Sequence, residues 1–499
     1  MKPTTSIGAA AALVLVTSGF LGGCGGGGSS TPPPPVPTIQ NINSSTTPTS
    51  PVGLPIEING SGFQAAPGKV NFKQGSTSID VVPAASAWSD TGAVAVVPAT
   101  ALTAPGTVSV TVVTSGGTSN AVTLNLVGTI TFNPSQMSWG TTMALPKPMT
   151  GLRAVAVPGT SSTSAFAIVT GGYDGTANTN IVWANNLNQD GTVGSATNTT
   201  WITITTNPLP TTLAHHAMAE ADDTNSLVAV GKRYVYVIGG QVNFADAPGG
   251  TNTVYIANVD STAGTVGTWT ASTNTLPKSL LGLSATVHNG FLYVAGGLDT
   301  NGNPVKDIYS APINSDGTIG TWTTSTNTLP TARAFGTMFV FGGIIYYVNG
   351  DPNASLLPNS QGVGDTLVYY ASAVRGVIGL WTPNANSTPA NRAKGVLYTA
   401  YGQVITGEGV YSGNPGSKEM ETATVNANNT TTAALNPWTG LTGTTDPGAN
   451  VFNAAAFTSP LFAPTTNGPR FLLLGGQAFT ATTGLGGALS STVHYNTAP

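Results

Sequence analysis

The chain has one cysteine in 499 residues, so no internal disulfide can brace it. Charge is scarce too: Asp, Glu, Lys and Arg make up 7% of the residues. Thr, Ser, Asn and Gly carry the polarity instead, a composition poor for amphipathic helices and suited to β-rich exported proteins. No basic run occurs, and the net charge is −4. That excludes nucleic acid as a partner, because phosphate binding needs clustered Lys and Arg. Histidine is limited to four positions. His215 and His216 are adjacent, and neighbours on a strand project to opposite faces; His288 falls at a hairpin turn and His494 near the C-terminus. No metal site is expected from these, and no cofactor. Ser-x-x-Lys, Gly-x-Ser-x-Gly, a phosphate loop and Cys-x-x-Cys-His are all missing.

The position of the single cysteine explains it. Lys2 supplies a short basic region, Ile7 to Phe20 is apolar, and Leu21-Gly22-Gly23-Cys24 follows. The apolar run is too short for a comfortable membrane span. This arrangement resembles a bacterial lipobox, which implies a signal peptide over 1–23, cleavage before Cys24 and a lipid on its thiol. The expected address is the bacterial envelope, and Gly25 after the cysteine points to the outer membrane. Residues 24–36 run Gly-Gly-Gly-Gly-Ser-Ser-Thr-Pro-Pro-Pro-Pro at their centre and read as a tether, flexible then stiff.

From 37 to 127 the pattern changes to short strands. Gly106-Thr-Val-Ser-Val-Thr-Val-Val113 alternates apolar and polar with the period-two signature of a half-buried strand. Ile58-Asn-Gly-Ser-Gly-Phe63, Val70-Asn-Phe72, Val96-Val-Pro98 and Gly116-Gly-Thr-Ser-Asn120 occur in the order found in IPT/TIG immunoglobulin-like domains, which this segment resembles. The resemblance implies a β-sandwich serving as a spacer or platform. Trp88 is expected in core or edge packing.

Residues 128–499 carry a repeat. Tryptophans at 139, 201, 269, 322, 381 and 438 are spaced by 62, 68, 53, 59 and 57 residues. Each interval holds an apolar strand ending in glycine: Gly171-Gly172, Gly239-Gly240, Gly296-Gly297, Asn349-Gly350, Gly407-Glu-Gly409 and Gly475-Gly476. Most open on Leu-Pro, and Asn289-Gly290 and Asp316-Gly317 are hairpin turns, since both dipeptides tolerate positive φ. Three or four strands every 50 to 60 residues predict a β-propeller. The glycine doublets, the tyrosines Tyr255, Tyr309 and Tyr369 on the following strand, and the tryptophans resemble Kelch repeats. The expected fold is therefore all-β: an immunoglobulin-like sandwich, then a six-bladed Kelch-like β-propeller, with seven blades the alternative. The segment around Trp139 is expected to supply the last strand of the sixth blade.

If that frame holds, two sets of residues converge near the axis. Tyr173, Asp174, Gln241, Asp299, Asp351, Glu408 and Gln477 follow the glycines; Arg153, Arg333, Arg392 and Lys394 follow the prolines. Three arginines from three blades would grip a carboxylate, with Tyr173, Asp174, Asp299, Asp351 and Glu408 orienting hydroxyls. The competing reading is structural, with the arginines holding loop carbonyls. The leading functional expectation is a non-catalytic surface binding or adhesion protein recognising a glycan or protein. A sialidase-like or lyase-like enzyme is the alternative, although Ser315-Asp316-Gly317 does not keep Asp-box spacing. A structural envelope component is the third.

Overall fold

The computed structural model describes residues 33–497 except 44–47, 84–86, 100, 128–131, 162, 196, 224–225, 227, 244–248, 342, 354–363, 401, 410–419, 426–434, 442–450, 461–468 and 479–487. The expected signal segment, Cys24 and most of the expected tether lie outside the described residues. Among the described residues the fold is all-β, with a short 3-10 turn at Pro134–Gln136.

The N-terminal part is a sandwich. One sheet has the order Thr38–Ile42, Pro55–Ser61, Gly92–Val96, Trp88–Ser89; the other runs Thr49–Pro51, Val122–Val127, Gly106–Thr114, Lys69–Gln74, Thr77–Val81. The Val/Thr alternation does what its period requires. Val108, Val110 and Val112 are buried with Ile56, Ile58, Phe63 and Phe72 in one core, and their neighbours face out. Trp88 belongs to that core: its ring lies 5.8 Å from Phe63 and its indole N–H donates to the Gln64 carbonyl (2.9 Å).

After residue 137, among the described residues, come six antiparallel sheets of four or five strands and a two-stranded ladder, Val451–Phe452 with Gln477–Ala478. Sheet I comprises Arg153–Pro158, Ala165–Thr170, Val182–Leu187 and Ile202–Thr203. Sheet II comprises Ala217–Asp222, Arg233–Ile238, Val254–Asn258 and Thr270–Ala271. Sheet III comprises Ser284–His288, Phe291–Ala295, Ile308–Pro312 and Thr323–Thr324. In sheet IV, Thr337–Phe341, Ile344–Val348 and Val368–Val374 are followed by Val377–Ile378 and Thr382–Pro383, which both pair with the third strand. Sheet V comprises Val396–Ala400, Gln403–Gly407, Met420–Thr424 and Thr439–Leu441. Sheet VI takes Ala455–Thr458, Phe471–Leu474 and Val493–Thr497 from the C-terminal end, and its outermost strand, Ser138–Thr142, from before sheet I. Edge pairing is thus completed by chain from both ends of the repeat region, which leaves Val493–Thr497 flanked on both sides.

The repeated landmarks have repeated jobs. Trp201, Trp269, Trp322 and Trp381 each stand just before an outermost strand, and each shares an apolar cluster with the leucine of its sheet's Leu-Pro (Leu145, Leu209, Leu276, Leu329). The glycine doublets join second strands to third, and both residues are left-handed in every sheet. The first has φ of 57°, 61°, 63°, 57°, 52° and 64° at Gly171, Gly239, Gly296, Asn349, Glu408 and Gly475. The second has φ between 92° and 108° and is always glycine, because that region is closed to a side chain. The apparent split pair Gly407-Glu-Gly409 is therefore an ordinary doublet, Glu408-Gly409, one residue later than the letters suggested. At the turn of sheet III, Asn289 (φ 47°) and Gly290 (φ 78°) give the two positive dihedrals of a type I′ hairpin.

The sandwich is joined to the sheets through Glu57, which is fully buried. Its carboxylate accepts from Asn289 Nδ2 (3.0 Å) and pairs with His288 Nε2; Asn289 Nδ2 also reaches Asn59 Oδ1 (2.6 Å). The hairpin tip of sheet III is thus seated on the outer side of the Pro55–Ser61 strand.

Candidate functional site at the centre of the six sheets

Just before the first strand of each sheet stands one left-handed residue: Gly151 (φ 64°), His215 (54°), Gly282 (62°), Phe335 (57°), Lys394 (57°) and Asn453 (53°). Their backbones bond one another in a closed cycle. His215 N–H donates to Gly151 C=O (2.9 Å), Gly282 to His215 (2.8 Å) and Phe335 to Gly282 (2.8 Å). Lys394 donates to Phe335 (3.0 Å), Asn453 to Lys394 (3.0 Å), and Gly151 to Asn453 (2.9 Å), which returns to the start. The two glycines of this ring make room for large neighbours. A Cβ on Gly282 would meet the Phe335 ring at 2.6 Å, and one on Gly151 would meet the His215 imidazole at 3.0 Å. His215 and Phe335 then pack edge to face at 5.7 Å, and Lys394 Nζ lies 4.9 Å from the Phe335 ring centroid, a cation–π contact.

Beyond the ring is a cavity of about 380 Å³ walled by the first strands of all six sheets. Its polar lining includes Arg153, Glu220, Ser284, Thr337, Lys394 and Asn453. Arg153 keeps part of its surface open to this space. Its Nη1 donates to the Leu152 carbonyl (2.8 Å), and burial pushes its guanidinium pKa down to about 10. Lys394 is buried, and its pKa falls to about 8 through desolvation, with Asp351 pulling the other way. His215 is driven down to about 3, first by burial and then by the charges of Arg153 and Lys394. His216 is lowered far as well by burial, and its Nε2 bonds Thr170 Oγ1 (2.8 Å). Among the described residues no three His, Cys, Asp or Glu side chains stand together as a metal site.

The residues expected to form a ligand-gripping face are distributed differently. Arg333 is completely buried and fully engaged: its Nη1 binds Asp365 (2.8 Å) and the Asn349 carbonyl (3.1 Å), and its Nη2 binds Tyr369 Oη (3.2 Å). Arg392 is buried likewise, with Nη1 on the Glu408 carbonyl (2.9 Å) and Nη2 on Glu421 (3.1 Å). These two arginines hold the post-proline loops to the glycine-doublet loops. Asp351 and Glu408 are also buried, accepting from the Asn353 and Val451 amides (2.8 and 2.9 Å). Asp174 and Asp299 cap their own loops, through Thr176 and Ala177 in one case and Asn301 and Asn303 in the other. Tyr173 Oη donates to the Gly175 carbonyl (2.8 Å). Gln241 and Gln477 sit on β-bridges to Ala214 and Leu489.

Of the two proposed sets only Arg153 and Lys394 line the cavity, and register is the reason. Arg153 lies two residues past the ring position of its sheet, whereas Arg333 and Arg392 lie two residues before theirs. Four residues of extended chain span roughly 13 Å, so following a proline did not mean equal place in the sheet. Asn453 and Glu220 escaped notice altogether. The signal for Asn453 was available in the ladder Gly151, His215, Gly282, Phe335, Lys394, Asn453, always two residues before a first strand.

Comparison with known proteins separates the two parts of the chain. Residues 37–125 match the model of the IPT/TIG domain. Those residues are an IPT/TIG domain. Such a domain is a module of binding or adhesion type. No curated protein matches the chain. Among solved structures, "Structure of YjhT" is similar at 13% identity and a TM-score of 0.47, covering 71% of this chain and 96% of that one.

Proposed function

We infer that residues 138–497 are a six-bladed, Kelch-like β-propeller carried on the IPT/TIG domain, and that the chain is a non-catalytic binding protein of the bacterial envelope. The observation that carries this reading is the closed ring of six backbone hydrogen bonds over an axial cavity. A wheel of that kind offers a rigid, preformed recess lined by a few polar groups, the usual form of a small-ligand site. Glu57 of the IPT/TIG domain bonds to His288 and Asn289, so the wheel is presented at a fixed angle rather than on a swivel. The lipid anchor at Cys24 belongs to the same proposal and would tie the assembly to a membrane, most simply the outer one.

The test is saturable binding on a defined panel of glycans and peptides, with product analysis run on the same samples. Binding without product, weakened by Arg153→Gln, is the expected result. No binding across the panel would remove the reading. A carbohydrate-active enzyme remains the second reading for one reason: Glu220 lines the same cavity as Arg153 and Lys394, so an acid and two cations share one recess. Product formation lost in Glu220→Gln would establish that reading instead. For the anchor, mass spectrometry of the mature N-terminus should find diacylglycerol on Cys24, and Cys24→Ser should release the protein from the membrane fraction.

A further inference from the structure

We propose that Arg153, Asn453 and Lys394 form a binding site for a small oxyanion, a carboxylate or phosphate group, at the ring end of the axial cavity. This deepens the binding reading above and rests on the six sheets closing around one axis. The three residues come from neighbouring positions: Lys394 and Asn453 are successive members of the hydrogen-bonded ring, and Arg153 follows the next member, Gly151, by two residues. All three line the cavity.

What singles this corner out is uncompensated polarity. Among the described residues, neither Arg153 nor Lys394 has a carboxylate within ion-pair distance, whereas Arg233, Arg333 and Arg392 each have one. The nearest acid to influence Lys394 is Asp351, which is buried and bound to the Asn353 amide. Asn453 is 4% exposed, yet its side-chain oxygen has no hydrogen-bond partner. The oxygen and nitrogen of an amide exchange by a half-turn, so this group can present N–H to an anion as readily as C=O to a donor. A buried ammonium, a half-buried guanidinium and an amide oxygen without a partner around a void carry a desolvation cost that one bound oxyanion offsets. A guanidinium supplies two parallel N–H donors and an ammonium a point charge, the pairing that suits a planar carboxylate or one edge of a phosphate. The cavity volume of about 380 Å³ accommodates a small oxyanion such as acetate or phosphate.

The experiment titrates the full chain separately with sodium acetate and with inorganic phosphate, read by isothermal calorimetry and by competition between the two. Expected is saturable binding of at least one anion, weakened about tenfold or more in Arg153→Gln and in Lys394→Gln. Affinity should also fall as pH rises through 8, where Lys394 loses its proton, and Lys394→Arg should keep it. The charged and titratable groups around Lys394 are Asp351 behind it, His215 beside it in the ring, and Arg153 and Glu220 in the same cavity; Arg153 stays a cation and His215 neutral throughout that window. Competition between the anions assigns a shared oxyanion site; binding of one alone assigns the carboxylate or the phosphate. Failure of both to bind, or unchanged affinity in both glutamine variants with wild-type melting curves, overturns the proposal. Oxyanion binding without any glycan or peptide ligand would leave this site standing and remove the broader reading. Glycan or peptide binding indifferent to Arg153→Gln would do the reverse.

Discussion

At the residue scale, the buried polar side chains divide into those that hold loops and those that line the cavity, and the two groups should respond differently to substitution. Arg333 is a loop-holding case. Replacing it with Met strands Asp365, already raised by burial, without its cation. Breaking a buried pair in this way costs about 3–5 kcal/mol. Arg333→Met should therefore lower the melting temperature sharply while leaving anion affinity in the surviving folded protein unchanged. His215 makes a pH argument. Its folded pKa of about 3 lies below the ordinary 6.5, so the unfolded chain binds a proton that the folded one refuses. Stability then falls as pH drops from 6.5 toward 3 and is flat above 6.5. His216 acts in the same direction. His215→Asn keeps a side chain that tolerates φ 54° and removes the titration, so denaturant unfolding at pH 4 and pH 7 should differ less in that variant than in the wild type.

At the element scale, the joints between strands carry the specificity. The second doublet glycine is the clearest, because its backbone conformation and its neighbours both exclude a side chain. Gly297 has φ 108°, and a Cβ there would stand 2.9 Å from the Leu281 carbonyl oxygen. Gly297→Ala should cost about 1–3 kcal/mol, seen as a lower urea midpoint with an unchanged slope. Asn349 and Glu408, at the first doublet position, show how much milder φ near 55° is: both side chains are accommodated and put to use. Asn349 Nδ2 binds the Asp365 carbonyl (2.8 Å), and Glu408 Oε2 binds the Val451 amide (2.9 Å). Asn349→Gly is accordingly a loss of bonds rather than a relief, and should destabilise.

At the scale of the whole molecule, sheet VI draws on both ends of the repeat region. Ser138–Thr142 pairs with Val493–Thr497 from Ser138↔Thr497 to Thr142↔Val493. A chain begun at residue 132 keeps that ladder, and one begun at residue 148 loses it, although the two differ by only sixteen residues. The shorter chain should unfold at lower temperature and self-associate through the bared edge, measurable by calorimetry and light scattering. The repeat itself, the doublets, the Leu-Pro leads and the tryptophans were all legible in the letters, because strand period and turn chemistry are local. The site was not. Arg333 and Arg392 looked equivalent to Arg153 because each follows a proline, and only their register against the ring separated them.

The sequence alone determined the β-strand content, the IPT/TIG segment and the turn positions, since each depends on residues within a few places of one another. Tertiary structure decided which polar groups are spent and which are left over. Arg333 and Arg153 carry the same guanidinium, yet Asp365 arrives beside the one and, among the described residues, no carboxylate pairs with the other. That difference follows from where each arginine stands against the ring, Arg333 two residues before Phe335 and Arg153 two residues after Gly151, which only the folded chain defines.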